Sequence, residues 1–438
     1  MRPLWVTVAT RSGRGRAALV AGCTAVITAL LLVAASVVRL GGVRVTERLL
    51  APIADPGTRG GAVVAIVLTT VPLLLLLDQA VRLGSASRHR RFVALAVGGA
   101  TARDLRRWSA VEVAVPAAVG ALLGVPVWLL MRQLLGVGLA PRTGALVPVS
   151  VGPGPWAVAV FLVVVAYAAW VGRRAGSRAA RAVAGGRAPQ RAPRPWVALA
   201  LLVLAVVCGY LDYLGDLGGM RVLIGPLTVL LLALGVAALS PWLAYVAADR
   251  MGRRARSAAM LLATRRLMAE PRPAARAAAA VGAVAMTAGV LSGLIPSVSD
   301  TRQYGADEYL VPALVVGVLA LVAMATIAGS LAVHSTETVL ERRREMAALV
   351  ATGIPARVVS DSQRLEGLVA TLPLALVGVL LGGYGYGVLV HVGAGGLLVV
   401  TLAVPVTLAV VYAAVAGATR LLRPWLLDAV DGASLRTE

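Results

Sequence analysis

Ten predominantly apolar stretches, each near the ~20 residues a helix needs to cross the hydrocarbon of a bilayer, divide this chain. They cover 17–38, 61–81, 110–131, 156–172, 196–214, 222–247, 274–296, 311–333, 364–390 and 397–419. In lipid every backbone N–H and C=O must be satisfied within the protein, and segments of this length do so as helices. The sequence therefore predicts an all-α polytopic membrane protein with ten transmembrane helices. The balance of residues agrees: 59% are hydrophobic and only 14% charged, whereas a soluble domain carries about 25% charged residues. The run after Arg16 exceeds the roughly 7–15 residues of a signal-peptide core and reads as an uncleaved first span.

All 42 basic residues are Arg, and the formal net charge is +22. In a soluble chain that excess would suggest nucleic acid; here Arg marks cytoplasmic loops, and no nucleic-acid partner is expected. With both termini inside, the cytoplasmic segments hold 34 Arg and the outer loops 8. That asymmetry orients the chain by the positive-inside rule, in a multi-pass plasma membrane. The Arg, Ala and Gly bias suggests a GC-rich, bacterial genome. Without Lys there is no G-x-x-x-x-G-K-[ST] phosphate loop, so nucleotide hydrolysis by that route is excluded. The two Cys, Cys23 and Cys208, lie in apolar runs, and His89, His334 and His391 have no ligand spacing. No metal site, cofactor or catalytic group is expected. Asp78, Asp212 and His334 fall near span ends, which disfavours an ion-driven transporter with charges deep in the membrane.

The sequence repeats itself. An offset of 254 residues aligns "RHRRFVALAVGGATARDLRRWSAVE" (Arg88 to Glu112) with Arg342 to Glu366 without a gap. Arg88, Arg90, Ala94, Leu95, Gly99, Ala102, Arg103 and Glu112 fall on Arg342, Arg344, Ala348, Leu349, Gly353, Ala356, Arg357 and Glu366. The offset also superposes spans 1 to 3 on spans 7 to 9, and span 4 on span 10 with a small gap. This gives a 4+2+4 order. A first four-helix core occupies 1–172, an Arg/Pro/Gly cytoplasmic linker 173–195, two connecting spans 196–248, and a second core 249–438. Both copies carry apolar residues at i, i+3, i+4 and i+7: Phe92, Leu95, Ala96 and Gly99, and Met346, Leu349, Val350 and Gly353. That spacing predicts a short amphipathic helix with a narrow apolar stripe. The Gly suits a left-handed helix cap. Thr101 with Asp104 resembles a capping box for the next helix, and Pro355 suits the first turn of its counterpart.

The stretch "ERRREMAALVATGIPARVVSDSQRLEGLVATLPLALVGVLLGG" resembles the signature region of the FtsX-like permease family, membrane subunits of ABC transporters related to macrolide and lipoprotein exporters. "RHRRFVALAVGGATARDLRRWSAVEVAVPAAVGALLGVP" resembles the same signature in a first copy. The resemblance implies that each segment is a coupling helix resting on a separate cytoplasmic ATPase, with an ATPase dimer per chain. The docking residues it implies are Arg88, Arg90, Arg91, Phe92, Leu95, Gly99 and Arg103, and Arg342, Arg343, Arg344, Met346, Leu349, Gly353 and Arg357. Phe92, Met346, Leu95 and Leu349 would be apolar knobs, and the Arg clusters an electrostatic rim. Glu112 and Glu366 would sit where the next helix enters the membrane, as structural residues. The implied function is ATP-driven extrusion of an amphipathic or lipid-like substrate. The alternative is ATPase-coupled signalling to cell-envelope partners without transport. The outer loops at 39–60 and 297–310 are too short for the extracytoplasmic domain of the best-known exporters.

Overall fold

The structure is a computed structural model, and it describes residues 4–42, 56–82, 85–134, 136, 149–183, 194–214, 221–299, 348, 350–389 and 394–430. Among them all regular secondary structure is helical. The elements are α1 (Leu4–Arg39), a 3-10 turn (Leu40–Gly42), α2 (Pro56–Arg82), α3 (Ser85–Val97), α4 (Ala102–Gln133) and α5 (Trp156–Val183). There follow α6 (Trp196–Leu214), α7 (Arg221–Gly252), α8 (Ala258–Ala269), α9 (Pro271–Ser299), α10 (Ala356–Leu389) and α11 (Ala394–Val430).

Seven of these helices are long and apolar enough to cross a bilayer, the architecture of a polytopic membrane protein. They contain Gly15–Arg39, Ala102–Gln133, Trp156–Arg178, Leu227–Gly252, Ala274–Gly293, Arg357–Gly387 and Gly395–Arg420. The expected spans at 61–81 and 196–214 lie on α2 and α6, whose apolar parts, Ile66–Val81 and Trp196–Leu211, are shorter. The expected span at 311–333 lies outside the described residues. Pro72, Pro116, Pro126 and Pro373 all sit inside continuous helices. The helix α5 runs on through Val183, so the first part of the expected linker at 173–195 is helix.

The packing separates into two compact units, one holding α1 to α5 and the other α6 to α11. In the first, α1 packs against α2 and α4, α4 against α5, and α5 against α2, closing a four-helix bundle. One end of its core joins Val20 and Cys23 of α1 to Leu77 and Val81 of α2, Val113 and Ala117 of α4, and Ala168 and Val171 of α5. The other end gathers Leu32, Val33 and Val37 of α1 around Trp128 of α4 and Val63 of α2. In the second unit α9 packs on α10, α11 and α7, and α10 packs on α11, α7 and α8. Its core holds Val281 and Val284 of α9, Leu368, Ala375 and Val379 of α10, and Val411 and Val415 of α11.

The 254-residue offset holds in three dimensions. It carries Ala102, the first residue of α4, onto Ala356, the first residue of α10. It also carries the tight crossing of α1 and α4 onto that of α9 and α10. A methyl group on Gly124 would lie 2.7 Å from the Ala25 carbonyl oxygen and from Thr28 Cβ, and one on Gly378 would strike the Gly282 carbonyl. Gly124 maps to Gly378, and Thr28 to Gly282. At both sites the missing side chain lets two backbones touch, as is common where membrane helices cross closely.

The offset exposes one difference. Leu4, where α1 begins, maps to Ala258, where α8 begins, yet α1 continues unbroken to Arg39 while its counterpart stops at Ala269. The cause is the sequence "EPRP": Pro271 and Pro273 lack the N–H that a continuing helix needs, and a residue before Pro leaves the α region. Glu270 accordingly adopts φ −134° and ψ 70°, and α9 restarts at Pro271.

Candidate functional site

The turn between α3 and α4 is built by local rules. Gly99 has φ +92°, in the left-handed region. Its N–H donates to the Ala96 carbonyl at 3.0 Å, and the Ala100 N–H donates to the Leu95 carbonyl at 2.9 Å. This pair of bonds is the Schellman arrangement, which satisfies the last carbonyls of a helix. Two residues on, Thr101 caps α4: its Oγ1 accepts from the Asp104 N–H at 3.3 Å, and Asp104 Oδ2 accepts from the Thr101 N–H at 3.0 Å. The capping box read from the sequence is present.

The second copy repeats the corner. Gly353 has φ +94°, and its N–H donates to the Val350 carbonyl at 2.9 Å. The Thr352 N–H donates to the Ala348 carbonyl at 3.0 Å, matching the bond from Gly98 to Ala94 at 3.0 Å. Each of these residues falls on its partner at the offset of 254. Pro355 stands immediately before α10, and its carbonyl accepts from the Val358 N–H at 2.9 Å. A methyl on Gly99 or Gly353 would meet nothing within 4 Å, so the glycine is required by φ alone and not by crowding.

The side chains of α3 correct the sequence reading. The expected stripe treats Phe92 as an exposed knob beside Leu95. Instead Phe92 is buried, at 6% exposure, on a helix that rests against α5. Leu95, one turn on but rotated away from Phe92, is 45% exposed, and Val93 and Val97 are exposed as well, Val97 at 85%. Val93 and Val97, four residues apart, share one side of α3, while Leu95 is exposed on another. A stripe of four small and large apolar residues does not say which side a neighbouring helix takes.

Arg91 and Arg103 are exposed beside this surface, and Arg88 and Arg90 lie on α3. In the second copy Gly353 and Arg357 are exposed. Arg342, Arg343, Arg344, Met346 and Leu349 lie outside the described residues. The two membrane-facing Glu differ. Glu112 accepts from the Arg16 guanidinium of α1, whereas Glu366 is buried, at 7% exposure. At the offset, Arg16 maps to Glu270, so the second copy cannot make the same ion pair.

One feature beside the first corner escaped the sequence reading. An open groove of about 650 Å³ is lined by Arg103, Arg106, Arg107, Ala110 and Val111 of α4 and by Arg173 of α5. The spacing 103, 106, 107 and 110 is a helical face, but the sequence reading assigns only Arg103 a docking role and treats Arg106, Arg107 and Arg173 as topology signals.

No family model, no curated protein and no solved structure matches the chain.

Proposed function

We propose that this protein is the permease subunit of an ABC transporter, with ten spans in a 4+2+4 order and both termini in the cytoplasm. A separate ATPase dimer docks on the two corner segments and drives extrusion of an amphipathic or lipid-like substrate through the membrane. The observation that carries the reading is the repeated corner. Two helix ends share one left-handed Gly, one hydrogen-bond register and one following long apolar helix, with φ values of +92° and +94°. A topology signal would need only Arg, and a repeated shape suits a repeated partner, such as the two subunits of an ATPase dimer.

The mechanism follows from the connections. The corner is tied rigidly to α4 by the Thr101–Asp104 box. Leu95 and Val97 are exposed apolar side chains of α3 that can serve as anchors, while the flanking Arg supply charge around them. A push on α3 is passed to α4 because the Schellman bonds and the cap leave no slack residue between them. In turn α4 bears directly on α1 through Gly124. The chain supplies the moving parts, and ATP hydrolysis belongs to the partner.

The test is co-purification with the ATPase encoded beside this chain, comparing ATP hydrolysis for the wild type, Leu95→Asp, Val97→Asp and Leu349→Asp. A buried charge at a docking anchor is expected to lower coupled hydrolysis on the order of tenfold or more. If no ATPase associates, or hydrolysis ignores all three substitutions, the proposal is wrong.

A further inference from the structure

The Arg groove of the first unit is an unusual place in a membrane protein. Arg103, Arg106 and Arg107 occupy i, i+3 and i+4 on the first turns of α4, and Arg173 faces them from α5. All four are exposed. None forms an ion pair with a described carboxylate; Arg106 Nε donates only to the Ala102 carbonyl, at 3.0 Å. Glu112 accepts from Arg16, and Asp104, held in the Thr101 capping box, is the acidic side chain whose charge is felt by Arg103 and Arg107. Among the described residues, four guanidinium groups thus line the groove with a single nearby carboxylate that pairs directly with none of them. Repulsion among them has a cost, which an anion in the groove would relieve.

The groove continues into an apolar track. Arg107 is followed at four-residue steps by Val111, Val115 and Val119, exposed at 58%, 58% and 50%. On α5 the residue one turn before Arg173 is Trp170, 45% exposed, with the Arg174 guanidinium 3.6 Å from its ring centroid. Amphipathic aromatic rings of this kind sit at the headgroup level of a bilayer. The order along the surface is therefore cationic groove, aromatic belt, hydrocarbon-facing valines. That is the order of groups in a phospholipid: phosphate, glycerol backbone, acyl chain.

The Arg row of this groove is not repeated in the second copy. At the 254 offset, Arg103 is matched by Arg357, but Arg106 becomes Ser360, Arg107 becomes Asp361 and Ala110 becomes Arg364. Arg364 instead donates to the Tyr412 hydroxyl and lies 5.4 Å from its ring centroid. A topology signal would serve both copies alike, and so would a surface needed by both halves of a symmetric partner. Charge reversal at one copy marks a property of the other alone.

We propose that the groove of Arg103, Arg106, Arg107 and Arg173 holds the phosphate of an anionic phospholipid, with an acyl chain along Val111, Val115 and Val119. In the orientation set out above this is a cytoplasmic-leaflet lipid. Guanidinium is suited to phosphate because its planar fork donates two hydrogen bonds at once. The site needs no ATPase, so lipid binding can be measured whether or not one docks.

The experiment is native mass spectrometry of the full-length protein in detergent, titrated with phosphatidylglycerol or phosphatidylcholine, with inorganic phosphate as a separate arm. The variants are Arg106→Gln/Arg107→Gln, the two single substitutions, and Arg357→Gln in the other copy. Each Arg near an anionic lipid surface contributes about fivefold in affinity, so the double variant should bind phosphatidylglycerol about 30-fold more weakly. Phosphatidylcholine should bind weakly throughout, and Arg357→Gln should change nothing. Equal retention of both lipids, or unchanged phosphatidylglycerol binding in the variants, overturns the proposal. If inorganic phosphate alone displaces phosphatidylglycerol, the site is one for a free anion and the lipid assignment falls. Should the double variant fail to fold, each single variant still reads about a fivefold loss or its absence.

Discussion

Replacing Gly99 or Gly353 by Ala tests the corner on which the proposed function rests. With φ at +92° and +94°, an L-residue puts its Cβ against the carbonyl oxygen; the cost is ~1–2 kcal/mol per position. Nothing stands within 4 Å of a methyl at either site, so no packing clash adds to this figure and none can hide it. At 1.4 kcal/mol per factor of ten, the corner should open about 5- to 30-fold more often. The Ala100 N–H, which donates to the Leu95 carbonyl at 2.9 Å, reports that opening directly. Hydrogen–deuterium exchange of full-length protein in nanodiscs should show faster exchange at 98–100 in Gly99→Ala, with 352–354 unchanged, and the reverse in Gly353→Ala. Asn tolerates the left-handed region, so Gly99→Asn should recover part of the protection, while Gly99→Val should lose more than Ala does. The two sites lie in separate compact units, so the double variant should show the sum of the two effects. If Ala changes exchange no more than Asn, or if protection is lost evenly over α3 and α4, the corners are not held by the left-handed glycine and the reasoning fails.

Three further outcomes follow from the packing. Gly378→Val forces a branched side chain onto the Gly282 carbonyl and should lower thermal stability by about 1–3 kcal/mol, whereas Gly385→Ala, with open space around it, should not; a thermal melt in detergent separates them. Ser109 Oγ donates to the Gly172 carbonyl at 2.8 Å across the α4–α5 contact, and Ser109→Ala should cost about 0.6 kcal/mol, the average for such bonds between membrane helices. Phe92→Ala should destabilise by ~3 kcal/mol or more as a buried aromatic is lost, while Leu95→Ala, at 45% exposure, should leave the melt nearly unchanged and act only on partner binding.

The elements were legible where one physical rule decides them. Length and apolarity located the seven long apolar helices. The left-handed Gly caps and the Thr101–Asp104 box could be read because a helix end must satisfy its own N–H and C=O groups, and few residue types do so. The short helix α8 was not anticipated, because its counterpart in the first unit is continuous and only "EPRP" interrupts it. Which side of α3 is inward is not legible for a different reason. Phe92 and Leu95 are both apolar and one turn apart, and only the position of α5 decides that Phe92 is buried. The Arg groove is not legible in the sequence because one of its lining residues, Arg173, comes from a helix 66 residues beyond Arg107. Sequence spacing along α4 showed the row of Arg; what it could not show was a second helix turning that row into a groove.

The duplicated halves separate what is shared from what is particular. Both keep the left-handed corner and the glycine crossing, at Gly124 and at Gly378, so helix geometry is the common requirement. Charge is where they part. Arg16 with Glu112 faces Glu270 with Glu366, and Arg106 with Arg107 faces Ser360 with Asp361. A two-fold partner would read the shared corner, and a single ligand would read the difference. In the two proposals above, the start of α4 would serve both kinds of recognition: the corner residues Leu95 to Gly99 lead into it, and Arg106 and Arg107 mark only one copy. Substitutions at Gly99 and at Arg107 should therefore fail in different assays, although the two residues lie two helical turns apart.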